Sequence, residues 1–292
     1  MRKNKLKLLL FLLCVCFLLE GCINLSEEET TNELPPVIME PSEIERVLQC
    51  YLNTQYTYQT DVDQSVLTTD LSTQYLLLMN KKQTLGADYV PKSLSPLTCR
   101  THYDEELELE SRAAEALHMM CREMEADGVS DLMVTSAYRS YEYQRLTYNY
   151  YVQREHEQIS VDAINYFGED YIRATYWSRG QNNLSREDAE KLVQSYSAKP
   201  GQSEHQTGLC VDFITTTMDD KLTEAFEQTE AFAWLSENAY RFGFILRYPK
   251  GKEDVTGYTY EPWHYRFVGR EAATNIHFAE LTLEEYLSIC RV

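Results

Sequence analysis

A histidine and an aspartate that lie close together in the sequence are of the residue types that bind zinc. His205 and Asp212 are seven residues apart, whereas zinc needs its ligand atoms at about 2 Å. Seven residues span roughly 10 Å as a helix and roughly 20 Å or more as a strand, so the chain must turn back between them. Thr207 and Gly208 can supply the turn, and residues 209–212 can then form a strand with Asp212 facing a cleft. Taken alone, the pair is more often a surface histidine and an unrelated buried aspartate on a hairpin.

A second stretch, residues 261–266, adds a histidine and an acid. Pro262 excludes a helix here and favours an extended conformation at Glu261. His264 can then supply a third ligand beside the first pair. Two neutral imidazoles and one carboxylate leave the fourth position of zinc open for water, and Glu261 is free to take a proton from that water, as in a hydrolase. The alternative is that Glu261 pairs with Arg266 and that His264 is a buried core residue.

An arginine at a corner of the chain could hold a carboxylate or a developing oxyanion. Residues 132–138 are predicted to form a strand, and Ser140 to cap a helix that begins at Tyr141, which places Arg139 between the two. The planar guanidinium suits either role. Gln144 lies one helical turn further on, on a neighbouring face. The alternative is a structural arginine paired with one of the 46 acidic residues.

The composition indicates a folded protein and argues against nucleic-acid binding. The chain has 292 residues, so one large domain, or one domain with appendages, is expected. Hydrophobic residues make up 43%, which is enough for a buried core and argues against a fibrous or disordered chain. The 46 acidic and 27 basic residues leave a net charge of −19, which repels phosphate backbones.

The N-terminal residues have the pattern of an export signal. Four basic residues lie among the first seven, and an unbroken apolar run follows at 8–19, too short for a comfortable membrane span. Residues 19–22 resemble a bacterial lipobox, although Glu20 departs from its pattern. We therefore predict that 1–22 form a lipoprotein-type signal segment, that Cys22 is lipidated, and that the protein is exported and anchored to the outer face of the bacterial cell membrane. An ordinary signal with an incidental cysteine is the alternative.

The rest of the chain predicts a spacer followed by one folded domain. Residues 23–60 are expected to form a polar spacer with a short helix at 41–51, and residues 61–292 to form the domain. Its elements are helices at 104–126 and 229–241, a helix start at the capping box of Ser185 and Asp188, and strands at 132–138, 207–214, 244–248 and 263–268. Strands and helices do not alternate regularly, so the predicted fold class is α+β.

The eight cysteines predict no disulfide framework. Cys14, Cys16 and Cys22 belong to the signal segment, and the five that remain are odd in number and irregularly spaced. This pattern indicates neither a zinc ribbon nor a particular disulfide pair.

Several ordered motifs together resemble a known family, the VanY-type D-alanyl-D-alanine carboxypeptidases and their L,D-carboxypeptidase relatives in peptidoglycan metabolism. The resemblance covers about residues 70–292. The motifs are Met79-Asn80-Lys81, Asp88-Tyr89-Val90-Pro91, residues 136–144, residues 200–205, residues 248–252, Thr256-Gly257 and residues 261–269.

The resemblance implies a fold, a cofactor and roles for individual residues. The fold is that of the lysostaphin, D-Ala-D-Ala peptidase and hedgehog group, in which a small antiparallel sheet carries one Zn²⁺ and helices surround it. The implied zinc ligands are His205, Asp212 and His264, and the implied general base is Glu261. Arg139 would polarise the scissile carbonyl or bind the substrate carboxylate. Gln144 and Ser203 would contact the peptide terminus, and Trp263 would form a wall of the pocket.

Two features depart from the family pattern. Residues 148–196 make the interval between Arg139 and His205 longer than usual, which suggests a lid, a reshaped cleft or an inert surface excursion. Cys210 occupies a position where relatives usually carry alanine. A small buried thiol is favoured there over a fourth metal ligand.

The predicted function is zinc-dependent removal of a terminal D-alanine from a peptidoglycan stem peptide. A peptidoglycan endopeptidase of the same fold and a non-hydrolytic zinc-bearing cell-wall module are the alternatives. A non-haem iron oxygenase also uses two histidines and one carboxylate, but Glu261 would then have no role. The ligands do not distinguish D,D from L,D specificity, and the sequence does not predict an oligomeric state.

Overall fold

The computed structural model describes residues 56–67 and 74–290. The predicted signal segment at 1–22, the lipidation at Cys22 and the short helix at 41–51 lie outside the described residues. Within the described part of the chain, no helix is both long enough and apolar enough to cross a membrane.

The described residues form ten α-helices and six β-strands. The helices are α1 Gln64–Leu67, α2 Ser111–Ala126, α3 Tyr141–Glu157, α4 Val161–Phe167, α5 Glu169–Thr175, α6 Arg186–Tyr196, α7 Glu230–Asn238, α8 Glu253–Thr256, α9 Arg270–Ala279 and α10 Leu283–Cys290. The strands are β1 Leu94–Pro96, β2 Glu108–Glu110, β3 Leu132–Ser136, β4 Cys210–Thr215, β5 Phe244–Leu246 and β6 His264–Phe267.

A four-stranded antiparallel sheet lies at the centre of the fold. Its strand order is β3-β4-β6-β5, and a separate two-stranded sheet joins β1 to β2. The small antiparallel sheet with surrounding helices confirms the predicted α+β class.

The two faces of the central sheet have different chemistry because side chains alternate along each strand. Val211 and Phe213 belong to the main apolar core, together with Leu117 and Met120 of α2. The opposite face carries Asp212 of β4 and its cross-strand partner His264 of β6, with Arg266 opposite Cys210. The apolar face therefore anchors the sheet to helix α2 and leaves the other face available for chemistry.

Most predicted elements begin or end at different residues from those expected, and three of these differences have a clear structural cause. The helix predicted at 104–126 begins only at Ser111, because residues 108–110 form β2 and pair with β1. The carboxylate of Glu110 accepts hydrogen bonds from the first-turn amides of α2 and so caps the helix. The strand predicted from residue 207 begins at Cys210, after a turn, and the helix predicted at 229–241 ends in a 3₁₀ turn before Gly243. The caps predicted at Ser140 and Ser185 are confirmed.

The chain packs against the domain before the predicted boundary at residue 61. Backbone amides of Gln59 and Thr60 donate to the Glu123 carboxylate of α2, at 2.7 and 2.9 Å. The Tyr56 hydroxyl lies 2.5 Å from the Thr274 hydroxyl of α9. Residues 56–60 were assigned to the spacer by their polar composition, but these contacts place them on the folded domain.

Residues 148–196 fold around an apolar cluster of their own. Tyr148 and Val152 of α3, Ile172 of α5 and Leu192 of α6 are buried in this second cluster, separate from the main core. The long interval between Arg139 and β4 is thus a packed helical subregion rather than an open loop.

Candidate active site

A tight turn brings His205 back toward strand β4. Residues 204–207 form a 3₁₀ turn that ends at Gly208, whose φ of 67° is in the left-handed region. The Gly208 amide donates to the His205 carbonyl at 3.1 Å. A Cβ atom at residue 208 would lie 3.2 Å from the Glu110 amide nitrogen and 3.1 Å from Pro91. The chain doubles back here, as the spacing required, and glycine is needed for both its conformation and its lack of a side chain.

His205, Asp212 and His264 converge at one point on the polar face of the sheet. Asp212 pairs directly with His264 across β4 and β6, and its Oδ1 lies 3.0 Å from His264 Nδ1. Its Oδ2 lies 3.1 Å from His205 Nε2. His205 Nδ1 is 2.6 Å from the Ala137 carbonyl, which directs Nε2 toward Asp212.

The three side chains fit a zinc ion. All three are at least nine-tenths buried. His205 Nε2 and Asp212 Oδ1 lie 3.1 and 3.0 Å from a charged group of a neighbouring side chain, but neither makes a hydrogen bond of good geometry with the described residues. Buried polar atoms normally have a partner, so these two donor atoms fit a bound cation. Two imidazoles and one carboxylate are also a ligand set found in catalytic zinc sites.

The charges of the three side chains depend on one another. Burial raises the pKa of Asp212, but the two imidazoles outweigh it and hold that pKa well below its usual range. Burial lowers the pKa of His264, but the neighbouring Cys210 and Asp212 raise it well above its usual range. The site therefore favours positive charge beside its carboxylate, a position that a divalent cation satisfies when the imidazoles are neutral.

Glu261 lies beside the three side chains without being needed as a ligand. It is 8% exposed, and its Oε2 is 3.4 Å from His264 Nδ1. Burial is the main cause that raises its pKa to about 7, and the nearby Asp212 adds to the rise. The suggested Glu261–Arg266 pair is absent from the described structure, where Arg266 pairs with Glu204. A buried carboxyl with this pKa can exchange a proton near neutral pH.

A buried network of four charges lies behind the site. Arg247 donates two hydrogen bonds to Glu284, at 2.6 and 2.8 Å, and one to Glu204 at 2.9 Å. Arg266 Nη1 lies 3.1 Å from Glu204 Oε1, and all four side chains are fully buried. Glu204 Oε2 is 3.9 Å from His264 Nε2. Two guanidiniums and two carboxylates balance their charges next to a histidine of the site.

Arg139 faces the site and has no acidic partner among the described residues. Its backbone amide donates to the His205 carbonyl at 3.1 Å. Burial raises the pKa of Glu261, and the positive charge of Arg139 is one of the influences that oppose this rise. The Arg139 Nε atom is buried without a hydrogen-bond partner in the described part of the chain. The alternative of a structural ion pair at this arginine is therefore not supported.

A family comparison accounts for this arrangement. Residues 106–270 match the model of the VanY D-alanyl-D-alanine carboxypeptidases. The chain belongs to the VanY family. Membership confirms the resemblance inferred from the motifs.

A curated protein and a solved structure are similar to this chain over most of its length. The YodJ protein of Bacillus subtilis (strain 168) is 35% identical over 214 residues, which are 72% of this chain and 66% of YodJ. The LdcB LD-carboxypeptidase structure, described for its peptidoglycan recognition, has 33% identity and a TM-score of 0.59, and covers 78% of this chain and 92% of LdcB.

A second similar structure was determined with a metal ion. It is a vancomycin-resistance D,D-pentapeptidase, the VanY of a VanB-type cassette, in complex with Zn(II), with 33% identity and a TM-score of 0.54 over 73% of this chain and 99% of that one. The chain spans less than two thirds of the length of each curated relative that it matches.

Three further residues singled out by the VanY resemblance lie around the site in different settings. Gln144 is buried on α3 and donates through Nε2 to the Ala198 carbonyl at 2.7 Å. Ser203 is buried directly before the turn that carries His205. Trp263 is half-buried and packs against the main apolar core. Gln144 therefore tethers the segment that leads to Ser203.

An aromatic pair beside His264 was not singled out from the sequence. The Tyr248 ring lies 4.9 Å from the His264 ring and 4.9 Å from the Tyr258 ring, between centroids. The Tyr258 hydroxyl is buried without a hydrogen-bond partner among the described residues. Tyr248 belongs to one of the VanY-like motifs, but no spacing rule placed either ring against a ligand.

Proposed function

We propose that the protein is a zinc-dependent carboxypeptidase that removes a terminal D-alanine from peptidoglycan stem peptides. The observation that carries the proposal is the convergence of His205, Asp212 and His264 beside the buried, unliganded Glu261. Membership of the VanY family supports the reaction class. The Zn(II) complex of a similar VanY structure supports the choice of metal.

Glu261 acts as the general base and then as the general acid. His205, Asp212 and His264 would hold the zinc ion, which would supply a Lewis acid for the ionisation of water and the polarisation of a carbonyl. Glu261, with its pKa raised to about 7 by burial, accepts the proton of the attacking water and delivers it to the leaving amine of D-alanine. A non-hydrolytic binding module would not need a titratable acid at this position.

Arg139 stabilises negative charge on the substrate. Its guanidinium has no acidic partner among the described side chains, so it is free to bind the terminal carboxylate or the developing oxyanion. Gln144 and Ser203 contribute to the pocket for the peptide terminus, and Trp263 contributes to its wall. The acidic surface does not oppose binding because recognition is local and salt screens distant charges.

The proposed location of the protein follows from the sequence. The signal segment at 1–22 exports the chain, and lipidation of Cys22 anchors it to the outer face of the cell membrane. The polar spacer then holds the domain away from the lipid surface, where peptidoglycan peptides are available.

One assay with muropeptides tests the proposed reaction. The zinc-loaded protein is incubated with pentapeptide and tetrapeptide muropeptides, and the products are weighed. Loss of alanine from the pentapeptide marks D,D activity, and loss from the tetrapeptide marks L,D activity. We expect a chelator to abolish the reaction and zinc to restore it. Cleavage of cross-linked dimers without release of alanine would instead identify an endopeptidase.

Two variants connect the reaction to the site. Glu261→Gln is expected to retain zinc and lose at least about 100-fold in kcat, because amide cannot carry the proton. Glu237→Gln, an exposed residue of α7, is the matched control and should keep the wild-type rate. Unchanged release of alanine by Glu261→Gln would exclude hydrolysis by this site.

A further inference from the structure

The thiol of Cys210 lies in the metal site. Cys210 and Asp212 are two residues apart on β4, and therefore project from the same face of the sheet. Cys210 pairs with Arg266 across the strands, and Asp212 pairs with His264. The Cys210 side chain is fully buried. The thiol sulfur therefore adds a possible donor atom to the same face as Asp212.

The sulfur lies close enough to the two imidazoles for the three side chains to be candidates for binding one metal ion. One donor atom from each of His205, Cys210 and His264 lies within 4.8 Å of the others. In a zinc tetrahedron, nitrogen and sulfur ligand atoms are roughly 3.3–3.6 Å apart. At separations of up to 4.8 Å, the donor atoms would move closer together on binding a metal ion. Asp212 already lies at 3.0 and 3.1 Å from the same two histidines.

Two buried atoms without hydrogen bonds to the described residues also favour a bound cation at this point. His205 Nε2 and Asp212 Oδ1 are buried, and neither has a hydrogen-bond partner among the described residues. His205 Nδ1 is committed to the Ala137 carbonyl, so only Nε2 is available to the centre of the site. The four side chains thus surround one point with two nitrogen atoms, one carboxylate and one sulfur.

We propose that Cys210 is a fourth zinc ligand in the substrate-free protein. The proposal deepens the proposed function and depends on its zinc ion. On binding, the thiol loses its proton to solvent and the thiolate sulfur forms the bond to the metal. Four protein ligands close a zinc site, whereas a catalytic zinc keeps one position open. Cys210 therefore holds the free protein in a closed state from which sulfur must withdraw for hydrolysis.

Cobalt substitution tests the sulfur bond directly. The wild-type protein loaded with Co²⁺ is expected to show a thiolate-to-cobalt charge-transfer band in the near ultraviolet. Cys210→Ala and Cys210→Ser should lack the band, and the matched control Cys121→Ala, a partly buried cysteine outside the site, should retain it. Circular dichroism of the metal-free variants checks that each is folded.

Zinc affinity and alkylation give two further readouts. Competition with a chelator should show that Cys210→Ala binds zinc at least about 10-fold more weakly than wild type. Bound zinc should protect Cys210, identified by peptide mapping, from alkylation in the partly denatured protein, while the labelling of Cys121 stays unchanged. Both measurements are independent of peptide hydrolysis.

The outcomes separate this proposal from the proposed function. One bound Co²⁺ per chain without the charge-transfer band, or with a band that persists in Cys210→Ala, overturns the role of Cys210 alone. Equal zinc affinity of wild type and Cys210→Ala does the same. Failure of the wild-type protein to bind either metal overturns both proposals.

Discussion

Asp212 on β4 lies directly opposite His264 on β6, with 3.0 Å between Oδ1 and Nδ1. Because both residues belong to paired strands, the sheet itself fixes two of the three proposed ligands. Only His205 depends on a loop, and the turn that ends at Gly208 determines its position. Asp212 and His264 are therefore held more rigidly than His205, and the site is most sensitive to mutations in the turn.

Gly208→Ala is expected to weaken zinc binding and to lower stability by about 1–3 kcal/mol. The φ of 67° strains any residue with a Cβ, and the new methyl group would crowd the Glu110 amide. Gly128→Ala is the control, because Gly128 also has a positive φ but no atom within 4 Å of the added Cβ. Chemical denaturation and zinc competition measure the two effects. Equal zinc affinity in both variants would show that crowding at residue 208 does not move His205.

Arg139→Ala is expected to lower kcat/KM by about 100-fold or more while zinc affinity stays the same. The loss follows from removal of the charge that stabilises the oxyanion or binds the substrate carboxylate. Arg145→Ala removes an exposed arginine of the following helix α3, where it pairs with Glu142, and should have no effect on the rate. Steady-state kinetics with zinc-loaded protein measure both. A wild-type rate in Arg139→Ala would remove this residue from the mechanism.

Glu204→Gln is expected to destabilise the protein by about 3–5 kcal/mol. The change leaves Arg247 and Arg266 with one carboxylate between them in a fully buried setting. Glu187→Gln, at an exposed pair with Lys191, should cost less than about 0.5 kcal/mol. Urea unfolding compares the variants. Similar losses in both would mean that the buried network contributes no more than a surface pair.

Glu123→Gln is expected to lose stability in a pH-dependent way. Burial raises the pKa of Glu123, but hydrogen bonds from Gln59 and Thr60 outweigh it and lower the pKa below its ordinary value. A lowered native pKa gives stability that is present above the unfolded pKa of about 4.3 and is lost as pH falls through the native pKa. The difference between wild type and variant should therefore be largest near neutral pH and shrink in acid.

Denaturant unfolding at several pH values tests this dependence. Glu125→Gln on the same helix, at an exposed position, is the control and should show no such trend. If the difference in unfolding free energy between wild type and Glu123→Gln were constant across the pH range, ionisation of Glu123 would not contribute to the stability of the protein.

The convergence of the three proposed ligands could be predicted from the sequence because local rules constrain it. The spacing of His205 and Asp212 requires a turn, Gly208 permits it, and Pro262 excludes a helix before His264. The spacing alone did not show that His264 joins His205 and Asp212 at one site. The family resemblance supplied that connection. The central sheet followed from the same strands, although its ends shifted by a few residues.

The buried charges could not be predicted because they depend on distant pairings. Arg247 meets Glu204 and Glu284, which lie 43 and 37 residues away in sequence. Glu204 and Arg266 stand inside the quoted motifs, but nothing in their spacing distinguishes a buried ion pair from a solvated one. Helix α2 began later than predicted for a related reason, since pairing with β1 overrides the helical pattern before Ser111.

The separate apolar cluster of residues 148–196 has a consequence for divergence within the family. Its buried side chains, such as Val152 and Leu192, pack mainly on each other rather than on the metal-bearing sheet. Mutations there can accumulate and be compensated locally, without altering the positions of the ligands. The subregion is thus stabilised mainly by its own contacts, independently of the sheet that carries Asp212 and His264.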